Sequence, residues 1–247
     1  MNHESYALYG DKIAEIYDEW SGVPEDVEVT VAFLYGLLDS GRSPTALELG
    51  IGTGRIALPL AHTGIEVHGI DTSEAMVGKL RNKPGGEDIP VTMTSFADFR
   101  IEEKFSLVYV VFNTFFALLS QEEQLRCFEN VSRHLGDGGI FVIEAFVPDM
   151  TRWDQDQRVA ARHLTPDHVV LGVDIHDPVE QRVTSNELVI SEGGIKMYPV
   201  ALRYAWPSEL DLMARLAGLR LRERWGGWQQ DPFTKASTKH VSVYGRR

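Results

Sequence analysis

Residues 45–54 read Thr-Ala-Leu-Glu-Leu-Gly-Ile-Gly-Thr-Gly, a short apolar run that leads directly into a turn with three glycines. Glycine is needed where the backbone takes a positive φ or where a ligand approaches without room for a Cβ atom. A second apolar run, residues 66–70, follows a helix-like segment and is closed by Asp71. A carboxylate in that position of a parallel sheet lies beside the glycine turn and can accept hydrogen bonds from a ribose diol. The stretch therefore predicts a nucleoside site at the carboxyl edge of a parallel sheet.

Two classes of cofactor fit this layout. A dinucleotide fingerprint can be placed on Gly52, Gly54 and Ala57, with Asp71 about 20 residues further on, which would indicate an NAD-binding oxidoreductase. The alternative is S-adenosylmethionine, and Glu48 favours it. A carboxylate is repelled by a pyrophosphate, whereas it is attracted by a sulfonium and an α-ammonium group.

The run from Glu48 to Gly54 also resembles the first motif of the class I S-adenosylmethionine-dependent methyltransferases, in which an acid stands two residues before the first glycine. Residues 97–99 resemble the motif in which an acidic side chain accepts from the adenine amino group, although Asp98 could equally be a turn residue. Arg55 could pair with the cofactor carboxylate or face solvent. The resemblance implies a cofactor site made of Tyr17, Glu48, Gly50, Gly52, Gly54, Arg55, Asp71, Thr72, Met76, Ala97, Asp98, Phe99, Phe112 and Asn113.

Composition limits the possible functions. The 247 residues carry a net charge of −12, which argues against binding DNA or RNA, because phosphate neutralisation needs a basic surface. No apolar stretch approaches the roughly 20 residues of a membrane helix, and the N-terminus has no secretory character, so the expected location is the cytoplasm. Cys127 is the only cysteine, so neither an internal disulfide nor a multi-cysteine zinc site is possible, and we expect no metal.

Strand and helix patterns alternate through most of the chain, which predicts an α/β fold with a doubly wound, Rossmann-like sheet of seven strands. We expect one domain with three parts: a helical cap over residues 1–40, the core over 41–148 and 206–247, and an inserted antiparallel meander over 149–205. Three strands are predicted in the meander, at residues 168–175, 182–191 and 196–205. Residues 120–123 form a capping box at the start of a helix that residues 136–139 should end.

This layout is similar to that of small-molecule methyltransferases of secondary metabolism, such as the deoxysugar N-methyltransferases of macrolide pathways. The resemblance implies that the insert lies over the sulfonium, that the N-terminal helices close the other side, and that Tyr17 lies next to the cofactor. The partner would be a small-molecule acceptor. A homodimer is also possible, because the meander exposes strand edges.

The implied reaction is in-line transfer of the methyl group from sulfur to a nitrogen, oxygen or carbon nucleophile. A neutral amine needs little base catalysis, whereas a hydroxyl needs a base to take its proton. The candidates for such a base are Glu144, His163 and His168, and also His176 and His240. A fold of this kind can also use its cofactor pocket for a cyclisation or rearrangement without methyl transfer.

Overall fold

The computed structural model describes residues 4–20, 24–38 and 44–246, which form two β-sheets and the helices around them. The strands are β1 (Thr45–Leu49), β2 (Glu66–Asp71), β3 (Val91–Met93), β4 (Phe105–Val110), β5 (Leu135–Phe146), β6 (Gln157–Leu164), β7 (His168–Asp177), β8 (Arg182–Ser191), β9 (Gly194–Arg203), β10 (Leu219–Trp225) and β11 (Lys239–Arg246). The helices are α1 (Glu4–Ile13), α2 (Tyr17–Trp20), α3 (Pro24–Gly36), α4 (Ala57–Ala61), α5 (Glu74–Arg81), α6 (Gln121–His134) and α7 (Pro207–Leu216). None of the helices in these ranges is long and apolar enough to cross a bilayer.

The larger sheet has seven strands in the order β10-β11-β5-β4-β1-β2-β3. The neighbours from β5 to β3 are parallel, whereas β11 is antiparallel to both β5 and β10. The chain therefore reverses its winding direction at β1 and β4, and ligands bind at such a switch point in open α/β sheets. The predicted seven-stranded, doubly wound sheet is confirmed.

Each face of this sheet has its own apolar core, because successive side chains of a strand point to opposite sides. Ala46 of β1 faces the core that contains Leu34 of α3 and Leu80 of α5. Leu47, the next residue, faces the core that contains Phe128 of α6. Burial on both faces explains why the central strands are continuous apolar runs.

The predicted capping box of α6 is present. The Ser120 hydroxyl accepts from the Glu123 amide at 3.2 Å, and the Glu123 carboxylate accepts from the Ser120 amide at 3.1 Å. The helix ends at His134, just before residues 136–139 as predicted, but those residues already belong to β5. The β4–β5 register shifts between Phe105 and Leu107, next to these glycines. The glycines thus accommodate an irregular start of a strand.

The insert between β5 and α7 contains four antiparallel strands in the order β6-β7-β8-β9, and we call this sheet the meander. The prediction of three strands was therefore wrong by one strand, β6. β6 carries Arg158, Arg162 and His163 among its eight residues, so charge obscures the apolar alternation that marks a strand. At the N-terminus, the expected helical cap over residues 1–40 includes residues 1–3, 21–23, 39 and 40, which lie outside the described residues.

The two faces of the meander differ in polarity. Asp174, Ser185 and Glu187 lie on the inner face, which lines a cavity above the larger sheet. Strand pairing places nineteen residues on the outer face, namely Gln157, Val159, Ala161, Leu164, Val169, Leu171, Val173, Ile175, Asp177, Arg182, Thr184, Asn186, Leu188, Ile190, Ile195, Met197, Pro199, Ala201 and Arg203. Three of these residues, Asp177, Arg182 and Arg203, are charged, and they pair with one another at one end of the sheet. Apart from that end, the outer face is uncharged and mostly apolar.

Candidate active site

The backbone after β1 turns through three left-handed glycines: Gly50 (φ 75°), Gly52 (φ 55°) and Gly54 (φ 76°). A Cβ atom on Gly50 would lie 2.4 Å from Cγ2 of Thr114, so a side chain is excluded there on steric grounds as well. The amides of Gly50 and Ile51 both donate to the Ile70 carbonyl, at 2.8 and 2.9 Å. The turn is thus bonded to the end of β2, as the sequence predicts.

Asp71 is the residue that joins the two strand ends. Its Oδ2 accepts from the Gly52 amide at 2.7 Å, and its Oδ1 accepts from the amides of Thr72 and Ser73 at 2.7 and 2.9 Å. Burial raises the pKa of Asp71, although these three amide hydrogen bonds favour the charged form. A carboxylate offers about four acceptor positions, so one remains for a ligand. Sequence reasoning did not foresee this structural role.

Glu48 lies buried beneath the same turn. Its Oε2 accepts a hydrogen bond from the Tyr109 hydroxyl at 3.0 Å. Burial raises the pKa of Glu48 to about 8, although the Tyr109 hydrogen bond and the nearby Arg55 guanidinium act in the opposite direction. A cation that enters beside Glu48 would favour its charged form.

These residues line a narrow cleft at the glycine turn, which we call the glycine cleft. It brings together eight of the residues predicted to hold the cofactor: Tyr17, Glu48, Gly50, Gly52, Arg55, Asp71, Met76 and Phe112. Arg55 lies over the ring of Phe112, with its guanidinium carbon 5.0 Å from the ring centroid. Gly54 and Thr72 adjoin this cleft through the turn and through Asp71, and Asn113 lines the neighbouring cavity.

The three residues of the predicted adenine motif lie elsewhere. The Asp98 carboxylate is on the surface and accepts two hydrogen bonds from Arg126 of α6, at 3.0 and 3.2 Å. Ala97 and Phe99 are buried in the apolar core between the sheet and α6. The structure therefore does not bring Ala97, Asp98 and Phe99 to the glycine cleft, because Arg126 and the core already engage them.

The N-terminal helices are tied over the cleft by carboxylates. Asp18 of α2 accepts from the Thr53 hydroxyl at 2.5 Å and forms an ion pair with Lys83 at 2.7 Å. Asp11 of α1 accepts from the Ser73 hydroxyl at 2.5 Å. Both acids are bonded to residues of the cofactor turns, and only Asp18 directly follows a residue that the sequence analysis placed beside the cofactor, Tyr17.

Behind the cleft, two consecutive residues other than glycine have left-handed backbones, Phe112 (φ 56°) and Asn113 (φ 64°). The Phe112 amide donates to Glu144 Oε2 at 2.9 Å, and the Phe146 amide donates to Asn113 Oδ1 at 2.7 Å. Lys239 donates to the other Glu144 oxygen at 3.1 Å. Such backbone strain costs about 1–3 kcal/mol per residue and clusters at functional sites. Glu144, predicted as a catalytic candidate, holds this turn and does not line the adjoining cavity.

That cavity has a volume of about 330 Å³ and lies between the turn and the inner face of the meander; we call it the meander cavity. It shares Tyr9, Tyr17, Phe112 and Thr114 with the glycine cleft, so the two spaces adjoin. Three acids (Asp149, Asp174 and Glu187) and two arginines (Arg152 and Arg162) line it, for a formal charge of 2 − 3 = −1.

The inner acids of the meander cavity are held in place by hydrogen bonds. Asp174 accepts from the Ser185 hydroxyl at 2.5 Å and from Arg162 at 2.8 Å. Arg162 also contacts Glu187, at 3.3 Å. One guanidinium thus neutralises only part of the charge of two carboxylates.

The candidate histidines occupy different places. His163 and His168, with ring centroids 5.5 Å apart, line a wider opening that also includes Tyr9, Tyr17 and Glu187. His176 is buried behind the cavity wall. His240 is buried in β11, where burial lowers its pKa to about 3.

Known proteins resemble this chain in both sequence and fold. A family model described as a methyltransferase domain matches residues 46–139. The solved structure of the CcbJ methyltransferase from Streptomyces caelestis is 40% identical with a TM-score of 0.90, and the alignment covers 96% of this chain and 97% of that one. The cypemycin N-terminal methyltransferase of a Streptomyces species is 29% identical over 244 residues, with 98% of each chain covered. CalS10 from Micromonospora echinaspora, an amino pentose methyltransferase solved with S-adenosylmethionine, is 18% identical with a TM-score of 0.69, over 100% of this chain and 98% of that one.

The glycine turn, its two acids and these similarities define the class of the protein: the chain belongs to the S-adenosylmethionine-dependent methyltransferases. More particularly, the proteins that it resembles include an N-terminal methyltransferase of cypemycin and an amino pentose methyltransferase of calicheamicin biosynthesis. The predicted cofactor, S-adenosylmethionine, is thereby confirmed, and the NAD-binding alternative is set aside. In the sequence, Glu48 had correctly favoured S-adenosylmethionine over NAD.

The raised pKa of Glu48 makes a prediction about stability. The folded-state pKa of about 8 lies above the ordinary value of 4.5, so the folded state binds this proton more tightly than the unfolded chain does. The resulting stabilisation is complete below pH 4.5 and is lost as the pH rises through 8. Glu48→Gln imitates the protonated form. Near pH 9 the ligand-free variant should therefore melt several degrees above the wild type, whereas near pH 4.5 the two should melt at the same temperature.

Thermal unfolding followed by circular dichroism at several pH values measures this difference. Glu102→Gln, a change at an exposed loop position, is the matched control and should show no such trend. A melting difference for Glu48→Gln that is the same at both ends of the pH range would contradict the buried, protonated Glu48.

Proposed function

We propose that this enzyme transfers the methyl group of S-adenosylmethionine to an amine nitrogen of a small molecule held in the meander cavity. The observation that carries the proposal is that this cavity adjoins the glycine cleft across Tyr9 and Tyr17 and has acids on its far wall. A sulfonium bound in the cleft would direct its methyl group toward that junction. An acceptor in the cavity would then meet the methyl carbon in line with the sulfur.

The charge of the cavity favours an amine over a hydroxyl acceptor. Amines are cations near neutral pH, and the lining of the cavity is negative overall and rich in aromatic rings, including Phe146, Trp153 and Tyr204. Carboxylates and aromatic faces both attract cations. The methyl group is already activated, so the enzyme has mainly to align the reactants, which can contribute about 7–11 kcal/mol.

The names of two relatives support the same choice. The cypemycin enzyme is described as an N-terminal methyltransferase, and CalS10 as an amino pentose methyltransferase. Nitrogen is the nucleophile that an N-terminal or amino-sugar substrate would present. We extend this to the present chain because its cavity has the charge that such substrates need.

For the cofactor we propose a pose fixed by the two acids of the glycine cleft. The ribose diol would use the remaining acceptor position of Asp71, and the α-ammonium or sulfonium group would lie near Glu48. Tyr17 and Met76 would cover the ligand from the N-terminal side and from α5. Asp98 has no part in this pose.

The contact between Asp71 and the ribose is best tested by changing the ligand. The Asp71→Ala variant would also leave three backbone amides without their acceptor, so its effect would not report on the ribose alone. The wild type should bind S-adenosylhomocysteine at least about tenfold more tightly than its 2′-deoxyribose analogue, because a hydrogen bond to a charged group contributes about 1.5–3 kcal/mol. Calorimetry with both ligands measures this ratio. In Asp71→Asn, which keeps one acceptor oxygen, the ratio should shrink. Equal affinities in the wild type would remove Asp71 from the ribose site.

The acceptor class can be tested with matched pairs. The amine probes are an alanine-peptide amide with a free N-terminus, the methyl glycoside of an amino sugar, and a cyclic secondary amine. Each is paired with the analogue that has a hydroxyl group in place of the amine. We expect S-adenosylhomocysteine and a product heavier by one methylene from at least one amine, and none from its analogue. Mass spectrometry detects both products.

Glu187→Gln should raise the KM for that amine, because it removes a carboxylate from the cavity wall. Glu192→Gln, in the exposed turn between β8 and β9, is the control and should leave the KM unchanged. Transfer to a hydroxyl probe alone would contradict the amine proposal. Conversion of an acceptor without formation of S-adenosylhomocysteine would instead indicate the non-methylating cyclisation or rearrangement.

We also propose that the outer face of the meander pairs with a second copy of this chain. Val159, Leu164, Ile175, Ile195 and Met197 on this face are each more than half exposed. Four strands of about ten residues cover roughly 33 Å by 19 Å. That area approaches the roughly 800 Å² that each partner buries in a standard interface. Apart from Asp177, Arg182 and Arg203 at one end, the face carries no charge in a chain of net charge −12, and a two-fold axis makes one apolar face complementary to itself.

Analytical ultracentrifugation tests this interface. The wild type should sediment as a dimer, and Met197→Glu should sediment as a monomer, because the interface would have to bury a charge. Leu216→Glu, at an exposed position of α7, is the control and should remain dimeric. A wild-type monomer at the highest soluble concentration would contradict the proposal.

A further inference from the structure

A tyrosine hydroxyl in the wall of the meander cavity is bonded to a buried imidazole. Tyr204, which follows β9, lines this cavity. Its hydroxyl oxygen lies 2.9 Å from Nε2 of His176 and 3.7 Å from the sulfur of Met150. A ligand in the cavity can therefore reach the phenol, while the histidine lies behind it.

The imidazole of His176 contacts two aromatic rings. Trp153 stacks on it with ring centroids 4.7 Å apart and an angle of 13° between the planes, and the centroid of the Tyr204 ring lies 5.7 Å away at an angle of 30°. The His176 side chain is almost completely buried, and its Nδ1 has no hydrogen-bond partner among the described residues. The Oδ1 atom of Asp156 lies 3.5 Å from this nitrogen. Asp156 is 60% exposed, so its carboxylate connects the buried ring to solvent.

The backbone that carries Asp156 is strained in the same way as the turn at Phe112. Gln155 (φ 47°) and Asp156 (φ 60°) are consecutive left-handed residues, and neither is glycine. The His176 amide donates to the Asp156 carbonyl at 2.8 Å and thereby holds this turn against β7. A protein keeps such strain where the position of a side chain matters, and here it keeps the carboxylate beside the imidazole.

We propose that Tyr204, His176 and Asp156 form a relay that carries the amine proton of the acceptor from the meander cavity to solvent. This inference rests on the proposed amine methylation, and it adds the route by which the proton leaves. Tyr204 is the catalytic residue, because it touches the acceptor. His176 and Asp156 are positioning residues that act through it.

The step balances as follows. The acceptor binds as an ammonium ion, which gives one proton to the oxygen of Tyr204 while the phenolic proton moves to Nε2 of His176. The imidazolium then releases its Nδ1 proton to Asp156 and water. The freed nitrogen lone pair forms the N–C bond to the methyl group, and the C–S electron pair stays on sulfur, which becomes a neutral thioether. The net products are a methylated ammonium ion, a thioether and one proton in solvent.

Other charged groups surround these rings. Those that face His176 or Tyr204 from neighbouring elements are Arg152, Asp177, Arg203 and Glu209. Arg203 and Glu209 form an ion pair with each other at 2.9 Å, and Arg152 lies over Trp153. Burial raises the pKa of Tyr204, so the phenol keeps its proton until the imidazole accepts it.

The relay requires one tautomer of His176, with the proton on Nδ1 and a free lone pair on Nε2. Nitrogen-15 spectra of protein labelled at histidine distinguish the tautomers without any acceptor, and His176→Gln assigns the signal. We expect the Nδ1–H form in the wild type and a changed Nε2 signal in Tyr204→Phe. A proton on Nε2 would overturn the relay, because the phenol would then accept from His176 and could not pass it a proton.

Kinetics with the amine probe that the wild type methylates fastest give the second test. His176→Gln and Tyr204→Phe should lower kcat by about 100-fold, the usual contribution of a positioned proton acceptor, with an unchanged KM for S-adenosylmethionine. The low-pH decline in kcat should disappear in His176→Gln, because the residue that becomes unavailable on protonation is gone. A structural role alone would not alter this profile.

Asp156→Asn and Asp154→Asn form the matched pair, since both change an exposed acid of the same turn. Only Asp156→Asn should lower kcat, because the imidazolium would have lost the carboxylate that takes its proton. Wild-type kcat and pH profile in both His176→Gln and Tyr204→Phe would overturn the relay while leaving amine methylation intact. A wild type that methylates none of the amine probes would count against the proposed function, and the tautomer would still decide whether the relay can operate.

Discussion

The hydrogen bond from the Gly52 amide to Asp71 joins the ends of β1 and β2, and the cofactor site depends on it. It holds the left-handed glycine turn against the neighbouring strand, so Glu48 remains beneath the turn in a space that water does not reach. The same carboxylate fixes the backbone at Ser73, to which α1 is bonded through Asp11. One buried carboxylate thus couples the sheet edge, the turn and the helical cap. Removing it would disturb all three together.

The parts of the site that could be predicted from the sequence are those that neighbours along the chain determine. The glycine turn, the acid before it and the acid ending β2 each depend on a few consecutive residues and on the rule that parallel strands end at one edge. The capping box at Ser120 was predictable for the same reason. For Glu48 the chemistry of the ligand was enough to choose between two cofactors.

The parts of the fold and site that the sequence did not predict depend on contacts between distant parts of the chain. Asp98 matches an adenine motif locally, yet Arg126, 28 residues away, engages its carboxylate. Glu144 lies at the end of a strand, where catalytic groups often occur, but the strained Phe112 amide and Lys239 take up its oxygens. β6 was missed because Arg158, Arg162 and His163 interrupt the apolar alternation that marks a strand. Its place in the sheet comes from pairing with β7, which the residues of β6 alone do not indicate.

The meander is one uninterrupted stretch of chain, and it lies outside residues 46–139, where the methyltransferase family model matches. The inner wall of its cavity, together with Asp156, His176 and Tyr204, is encoded within that stretch. The turn that holds the cofactor is encoded elsewhere. Exchange of a single gene segment could therefore give a descendant a new acceptor while the ancestral cofactor site stays unchanged. Such modularity offers a simple route by which one scaffold diversifies among the producers of different natural products.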